Sequence, residues 1–367
     1  MRILFVIEPS GGGSGRHVVD LARALIDDGH AVSVIYSPLR AEPRFEAEVS
    51  ALALTALERL PLRRAVGPWD IGAVRALNRL IARLGPFEIV HGHSAKAGAL
   101  VRLATTPGAA RLYTPHALPM MRRSGPLIRL AAGLAEAAMT WTRCDAVIAV
   151  SQAEVATARR WGLPKGRLHL VPNGVAPAPS TDRSAARSAL GVADDALVVG
   201  FVGRLCPQKD PLRFVQAVRL SQAADPRIIG VVIGDGPLMA QVRAAAGDAV
   251  RIVGQRDARP LMAGFDLFAM TSRYEAGAYA MIEAAVLGLP IVTTDVGGID
   301  ALIDAGARID RLPNDAAPAQ LAQAMVAALA ARGPRQAVSM APLSLQRMTD
   351  QTLCVYRAAF ARRRLGA

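Results

Sequence analysis

Residues 2–16 read RILFVIEPSGGGSGR and residues 197–210 read LVVGFVGRLCPQKD. Each holds an apolar run (Ile3–Ile7 and Leu197–Val202), then a turn marked by glycine or proline, and leads into a segment with helical periodicity. A continuous Val/Ile/Leu/Phe run fits a strand covered on both faces, as parallel sheets require, better than a half-exposed alternating strand. From the first stretch the pattern continues through a helical segment (His17 to Asp28), a strand at Ala31–Tyr36, and further strand runs at Glu88–His91, Arg111–Tyr113 and Ala146–Val150. From the second it continues through helices at Asp210–Ser221, Leu238–Ala246 and Ala278–Leu287. Strands at Ile228–Ile233, Val250–Val253, Leu267–Met270 and Pro290–Thr293 alternate with them. The polar stretch Ser180–Asp195 between the two series reads as a linker. The expected fold class is α/β, with two doubly wound parallel-sheet domains over residues 1–180 and 181–343. Residues 344–367 form a terminal helical segment, with Leu345, Met348, Leu353 and Tyr356 for packing, free to return to either domain.

Length agrees, since 367 residues allow two domains or three. Cys144, Cys206 and Cys354 lie far apart with no C-x-x-C pair, which argues against a disulfide framework or zinc ribbon and fits a reducing compartment. Only Ile3 to Ile7 precede Glu8-Pro9, too short for a signal-peptide core. The most apolar helical stretch, Leu127 to Trp141, is interrupted by Arg129 and Glu136. The expectation is a cytoplasmic protein, extended to peripheral contact with the inner face of the cell membrane. Lys+Arg 43 against Asp+Glu 30 gives +13, and the only lysines are Lys96, Lys165 and Lys209. Arginine's planar fork suits phosphate, although GC-rich coding produces the same excess. Aromatics at 4% with no basic tract among stacking residues argue against a nucleic-acid partner. An anionic lipid surface fits the charge, with Arg122-Arg123 and Arg362-Arg363-Arg364 the densest clusters. A solvated face and a frayed tail explain those clusters too.

Chemistry enters at the loops. Gly11-Gly12-Gly13-Ser14-Gly15-Arg16 stands before a helix, where glycines admit a ligand to the backbone and the helix N-terminus attracts phosphate. It fails the dinucleotide fingerprint at Arg16 and lacks the Gly-Lys-Ser/Thr of a P-loop, so a tight strand–helix turn explains it equally. In the second half Arg204 and Lys209 follow a strand, five residues apart, a plausible clamp for a diphosphate. A solvated loop charge is the other reading of Lys209. Residues 272–284, SRYEAGAYAMIEA, place Glu275 in a loop and Glu283 about two helical turns further on. Glu275 is expected to address sugar hydroxyls. Glu283, set among Met281, Ile282, Ala284, Ala285 and Val286, is expected to lie deeper and take a ribose diol. A solvated helix face gives the same spacing, but a buried carboxylate without partners is costly. His91 and His93 form an H-x-H, half of a metal site for which the sequence shows no third ligand nearby.

With these residues in place, the chain resembles glycosyltransferase family 4, the retaining nucleotide-sugar transferases of GT-B architecture, over nearly its whole length. The landmarks run in the family's order: Gly12-Gly13 with His17 and Leu21-Ala22, then Ile89-Val90-His91-Gly92-His93-Ser94, Thr114-Pro115-His116 and Val150-Ser151. They continue with Val171-Pro172-Asn173-Gly174-Val175, Gly203-Arg204 with Lys209, and Gly234-Asp235-Gly236-Pro237. Glu275 through Glu283, Gly288-Leu289-Pro290, Gly297-Gly298 and Ser344-Leu345-Gln346 complete them. The resemblance implies two Rossmann-like domains facing a central cleft, with the terminal helix crossing back to the first. It implies that Gly12 and Gly13 approach the donor's distal phosphate, Arg204 and Lys209 stabilise the departing diphosphate, and Glu275 with Ala276, Gly277 and Ala278 holds the sugar. Glu283 then binds the ribose, His116 lines the reaction centre, and His93 and His91 stand at the rim of the acceptor cleft. The chain departs from the family at Ala276, where glycine is usual, and at Asp210, where glycine is commoner.

The activity so implied is retaining transfer of a hexose from a nucleoside diphosphate sugar, a substrate and not a cofactor, to a hydroxyl of a saccharide or polyprenyl-diphosphate-linked acceptor. That chemistry belongs to surface polysaccharide or glycolipid assembly. No D-x-D occurs, so no metal is expected on the diphosphate. Competing readings are another enzyme on the same plan (a sugar-nucleotide epimerase or a phosphorylase), a nucleotide-dependent oxidoreductase disfavoured by the missing third glycine, and a non-catalytic sugar-nucleotide-binding homologue suggested by Ala276.

Overall fold

The computed structural model describes residues 1–122, 125–177, 182–335 and 338–365, so Arg123 and the first two residues of the expected linker lie outside the described residues. The chain divides into two compact units, Met1–Asn173 with Leu345–Ala367, and Gly174–Ser344.

In the first unit the elements are β1 (Arg2–Ile7), α1 (Gly12–Asp27), β2 (Ala31–Tyr36), α2 (Pro43–Ser50), β3 (Ala56–Arg59), α3 (Trp69–Leu84) and β4 (Ile89–His93). Then follow α4 (Ala95–Leu103), β5 (Ala110–Thr114), α5 (Pro126–Arg143), β6 (Ala146–Ala149), α6 (Gln152–Arg160) and β7 (Leu168–Leu170). The strands form one sheet in the order β3-β2-β1-β4-β5-β6-β7, parallel throughout. Ile3, Phe5 and Ile7 feed one buried layer with Val18, Leu21 and Leu25 of α1. Leu4 and Val6 feed the other, with Leu77 and Ile81 of α3. That two-sided burial is why β1 carries no alternation.

In the second unit α7 (Arg183–Leu190), β8 (Leu197–Val202), α8 (Pro211–Gln222), β9 (Ile228–Ile233), α9 (Met239–Ala246), β10 (Val250–Gly254) and α10 (Ala258–Leu261) come first. They are followed by β11 (Leu267–Met270), α11 (Tyr279–Val286), β12 (Ile291–Thr294), α12 (Ile299–Asp304), β13 (Ile309–Leu312) and α13 (Pro318–Ala330). The sheet order is β10-β9-β8-β11-β12-β13, again parallel. The last helix, α14 (Leu345–Leu365), belongs to the first unit. It buries Met348, Leu353, Val355, Tyr356 and Ala359 in the layer that α1 occupies.

Three expectations change. The stretch read as a linker contains α7: Asp182 caps it by accepting from the Ala185 amide at 2.9 Å, and Gly191 ends it in the left-handed conformation. Its polarity misled because Arg187 is buried, donating to the carbonyls of Ala193 and Ala196 at 2.6 and 2.7 Å and pairing with Asp266 at 3.2 Å. The unit boundary therefore falls at Asn173/Gly174 and not at 180/181, since the Val175 amide bonds the Leu343 carbonyl at 2.8 Å. Finally, α1 starts at Gly12 and not at His17: the Gly15 amide already closes on the Gly11 carbonyl at 3.0 Å. The glycines are thus the first turn of the helix.

Candidate active site

Each sheet reverses strand order at one place, β1/β4 in the first unit and β8/β11 in the second. Ligands of doubly wound sheets bind beyond the carboxyl ends of strands at that point, and the residues singled out in the sequence collect there.

In the second unit the loop after β8 carries Arg204 and Lys209, and the loop after β11 carries Glu275. The two loops are stitched together. The Arg273 amide donates to the Gln208 carbonyl at 2.7 Å, Gln208 Nε2 to the Tyr274 carbonyl at 3.1 Å, and Thr271 Oγ1 to the Asp210 carbonyl at 2.9 Å. Lys209 Nζ lies 2.9 Å from Glu275 Oε1, and both side chains are largely buried. Lys209 is therefore no solvated loop charge. The ion pair is close but not aligned as a hydrogen bond: Glu275 Oε1 is buried and, among the described residues, accepts none. Its directional capacity is unspent. Arg204 is exposed on the same loop. Gly234 and Gly236, at φ 147° and 157°, bring the loop after β9 against Gly203 and Leu205, where a Cβ on either would collide with backbone.

Asp210 explains one departure from the family pattern. Its φ of 50° is left-handed, which glycine adopts without strain. The carboxylate compensates by pairing with Arg213 at 3.3 Å and Arg273 at 3.1 Å. Ala276 and Ala278 are buried, and the Gly297 amide donates to the Glu275 carbonyl at 3.1 Å, so the segment bearing Glu275 is held from both sides. The depth expected of the two glutamates is reversed. Glu275 is 8% exposed, whereas Glu283 is only half-buried and lines a recess with Val175, Ala176, Arg259, Val286 and Leu287. Glu283 faces outward because α11 is only eight residues long and its buried face is taken by Met281, Ile282, Ala284 and Ala285.

In the first unit Gly13 is exposed in the first turn of α1. The Gly12 amide donates to Glu42 Oε2 at 3.0 Å, so a carboxylate already sits at this helix N-terminus. His91 and His93 are not at a rim: β4 extends through both, and each is fully buried. Both ring nitrogens of His91 are engaged, Nδ1 by the Tyr356 hydroxyl at 2.7 Å and Nε2 by Thr114 Oγ1 at 2.9 Å. His93 Nδ1 lies 3.2 Å from His116 Nε2, while its own Nε2 is buried without a hydrogen-bond partner among the described residues. His17, from α1, joins them, its Nδ1 3.1 Å from Asn173 Oδ1. Burial drives all these rings toward the neutral form: the His17 pKa falls to about 4, and those of His91, His93 and His116 fall well below the usual value.

His116 and Ala117 adopt φ of 51° and 88°. Glu154 Oε1 holds this turn by accepting from the amides of Ala117 and Leu118 at 2.9 and 3.1 Å, and Oε2 accepts from Val150 at 2.9 Å. Sequence reasoning missed both Glu154 and the part played by His17. Ser151-x-x-Glu154 signals a helix cap, but nothing local says that its carboxylate also reaches residues 117 and 118. No local signal brings His17 beside His93 and His116, because only the sheet does so.

A glycosyltransferase of the two-Rossmann plan is the class that these two switch-point loops define. Residues 11–178 match the model described as Glycosyltransferase Family 4 and residues 196–331 that described as Glycosyl transferases group 1, and the chain belongs to this family. It is 28% identical to the D-inositol 3-phosphate glycosyltransferase of Stackebrandtia nassauensis over 335 residues, 80% of this chain and 74% of that one. It is 26% identical to the UDP-Gal:alpha-D-GlcNAc-diphosphoundecaprenol alpha-1,3-galactosyltransferase of Escherichia coli, covering 64% of each. Among solved structures it resembles Anabaena HepE in complex with UDP and glucose, with TM-score 0.79 and 20% identity over 98% of this chain and all of that one. It also resembles WaaG, a glycosyltransferase involved in lipopolysaccharide biosynthesis, with TM-score 0.71 and 18% identity over 97% and 98%. Identity that low carries the fold and not the substrate.

Proposed function

We propose that the protein transfers a hexose from a nucleoside diphosphate sugar to a hydroxyl of a saccharide or lipid-linked saccharide with retention at C1. The observation that carries this reading is Lys209 Nζ held 2.9 Å from the buried Glu275 Oε1 at the β8/β11 switch point. It joins a fixed cation for a leaving phosphate to a carboxylate oxygen with unspent capacity for sugar hydroxyls. Arg204 and Lys209 supply the charge that a metal would otherwise supply to the diphosphate. Glu275, with the backbone through Ala276, Gly277 and Ala278, holds the sugar, and Glu283 with Arg259 beside it takes the nucleoside. Gly13 serves the donor's distal phosphate, beside a Gly12 amide that Glu42 already occupies; His116, partly exposed, serves the acceptor, and the buried His93 positions it through their 3.2 Å contact. The bond from C1 to the phosphate oxygen breaks, the acceptor oxygen bonds C1 on the same face, and its proton passes to the phosphate oxygen released. One relative whose name specifies UDP-Gal and a diphosphoundecaprenol-linked acceptor, and a structural neighbour holding UDP and glucose, support a uridine donor and a lipid-linked acceptor. An acceptor of that kind places the enzyme in surface polysaccharide or glycolipid assembly, peripheral to an anionic membrane.

A thermal-shift panel of UDP-, GDP-, ADP- and TDP-sugars tests the donor, since a ligand bound only by the folded state raises the midpoint. With the donor so found, Lys209→Ala is expected to slow transfer on the order of 100-fold. Glu283→Ala is expected to weaken donor affinity about tenfold, the worth of roughly 1.4 kcal/mol, with less effect on kcat. Unchanged donor turnover in both variants refutes the assignment. Conversion of the donor without acceptor points to an epimerase, and binding without turnover to a non-catalytic homologue.

A further inference from the structure

We infer that His17, His93 and His116 form a binding site for a borderline-soft divalent cation, Zn²⁺ or its neighbours Co²⁺, Ni²⁺ and Cu²⁺. One ring nitrogen from each residue lies within 4.8 Å of the other two. The His93 Nδ1 to His116 Nε2 separation of 3.2 Å is already the edge of a tetrahedron around zinc, about 3.3 Å for Zn–N bonds near 2.0 Å.

A second observation concerns His93: it is fully buried, and among the described residues its only hydrogen-bonding partner is His116, met at Nδ1, the nitrogen that faces the cluster. Asn173 Oδ1 lies 3.1 Å from His17 Nδ1. An oxygen on the far ring nitrogen is the outer-shell arrangement that orients metal-bound histidines. His91 contributes nothing, because Tyr356 and Thr114 take both its nitrogens. All three ligands are imidazoles and, among the described residues, no carboxylate joins the group, which selects zinc and its neighbours over Mg²⁺ or Ca²⁺. His17 and His93 are buried whereas His116 is partly exposed, which gives the ion a way in. Three protein ligands leave a fourth position open.

This inference stands on the geometry of the first unit and is separate from Lys209 and Glu275. One consequence rests on the proposed transfer reaction: a bound ion withdraws His116 from the acceptor, so Zn²⁺ inhibits transfer.

The test uses the full chain, freed of metal, with Cys206 and Cys354 changed to Ser so that thiolates do not compete. Co²⁺ is titrated and its visible d–d absorption followed, and Zn²⁺ is then added to displace it. The inference requires saturable bands at one equivalent per chain, loss of them on adding Zn²⁺, and no effect of Mg²⁺. His116→Gln should weaken Co²⁺ binding at least tenfold. Asn173→Ala should weaken it by a factor of about 10 to 100, and His169→Gln should leave it unchanged. Circular dichroism establishes that each variant is folded; His116 lies in a partly exposed turn and carries the test if Asn173→Ala does not fold. Absence of saturable bands, or parental affinity in folded His116→Gln, overturns the inference. Donor thermal shifts in the same samples separate the two readings. A donor shift without a cobalt spectrum sinks the metal site alone, and a cobalt spectrum without a donor shift sinks the transferase reading alone.

Discussion

Glu154 is fully buried, and three backbone amides converge on its carboxylate from Val150, Ala117 and Leu118. Two forces oppose at this residue. Desolvation favours the neutral acid and the amides favour the anion; desolvation is the larger, and the pKa rises from 4.5 to about 7. A pKa raised on folding contributes stability that is full below about 4.5 and is lost as pH rises through about 7. Between those limits the folded chain holds a proton that the unfolded chain releases, so stability falls by on the order of 3 kcal/mol. Glu154→Gln abolishes this slope and turns an NH₂ toward one of the amides, costing roughly 1–3 kcal/mol below pH 5. Urea unfolding of both proteins from pH 5 to pH 8 checks this; parallel curves would contradict it. Because the same carboxylate fixes the left-handed turn at His116 and Ala117, the variant should also lose kcat. Gly298 gives a second prediction at this scale. It sits at φ 96°, and a Cβ there would stand 3.2 Å from Gly277 Cα. Gly298→Ala is expected to cost about 1 kcal/mol or more in backbone strain, and to weaken donor binding by displacing the segment that bears Glu275. An unchanged donor Kd with an unchanged urea midpoint would count against it.

At the scale of elements, what the sequence reveals follows burial. Strands β1, β2, β8, β9 and β11 are apolar runs because both their faces are covered, and their limits are readable to the residue. The strands that pattern reading passes over, β3 (ALER), β7 (LHL) and β13 (IDRL), are all edge strands that include polar or charged residues and have no fully buried position. An edge is covered on fewer sides, so its sequence need not be apolar, and charge there deters pairing with other chains. The same logic hid α7, whose buried Arg187 makes a packed helix look like a polar linker. The segments that carry Arg204 with Lys209, and Glu275, stand out in the sequence because each is one loop between a strand and a helix. The meeting of His17, His93 and His116 does not, because separate strands and helices converge there. The terminal helix α14 shows how such convergence is secured. Its Tyr356 hydroxyl meets His91 Nδ1 at 2.7 Å, and both residues are fully buried. Tyr356→Phe keeps the ring but leaves a buried nitrogen unpartnered, which should cost roughly 1–3 kcal/mol. A lowered urea midpoint at constant m-value is the expected result, and an unshifted midpoint would show that the bond is dispensable.

The whole molecule carries +13 formal charges, and no described helix is long and apolar enough to cross a membrane. Helix α5 nevertheless holds much of its apolar surface outward: Leu127, Ile128 and Leu134 are 79%, 67% and 62% exposed, with Leu130 and Trp141 also exposed. Its inward side is fixed by a buried ion pair, Glu136 to Arg102 at 2.8 Å, so the outward side has no freedom to turn in. A face of that kind is a liability in water unless something covers it. Arg129 on the same helix and the net charge favour an anionic lipid surface as the cover, which agrees with the lipid-linked acceptor proposed above. Co-sedimentation with vesicles rich in phosphatidylglycerol should exceed that with phosphatidylcholine vesicles and should weaken as salt screens the attraction. Leu127→Asp with Ile128→Asp removes two side chains worth about 1.5–3 kcal/mol each if fully buried. Partial insertion at an interface yields only part of that, and a loss of vesicle binding on the order of 100-fold is expected, with the urea midpoint unchanged because both residues already face outward. Weak and equal binding to the two lipids would remove the membrane from the account. Strong binding that survives the double substitution would move the contact to another face.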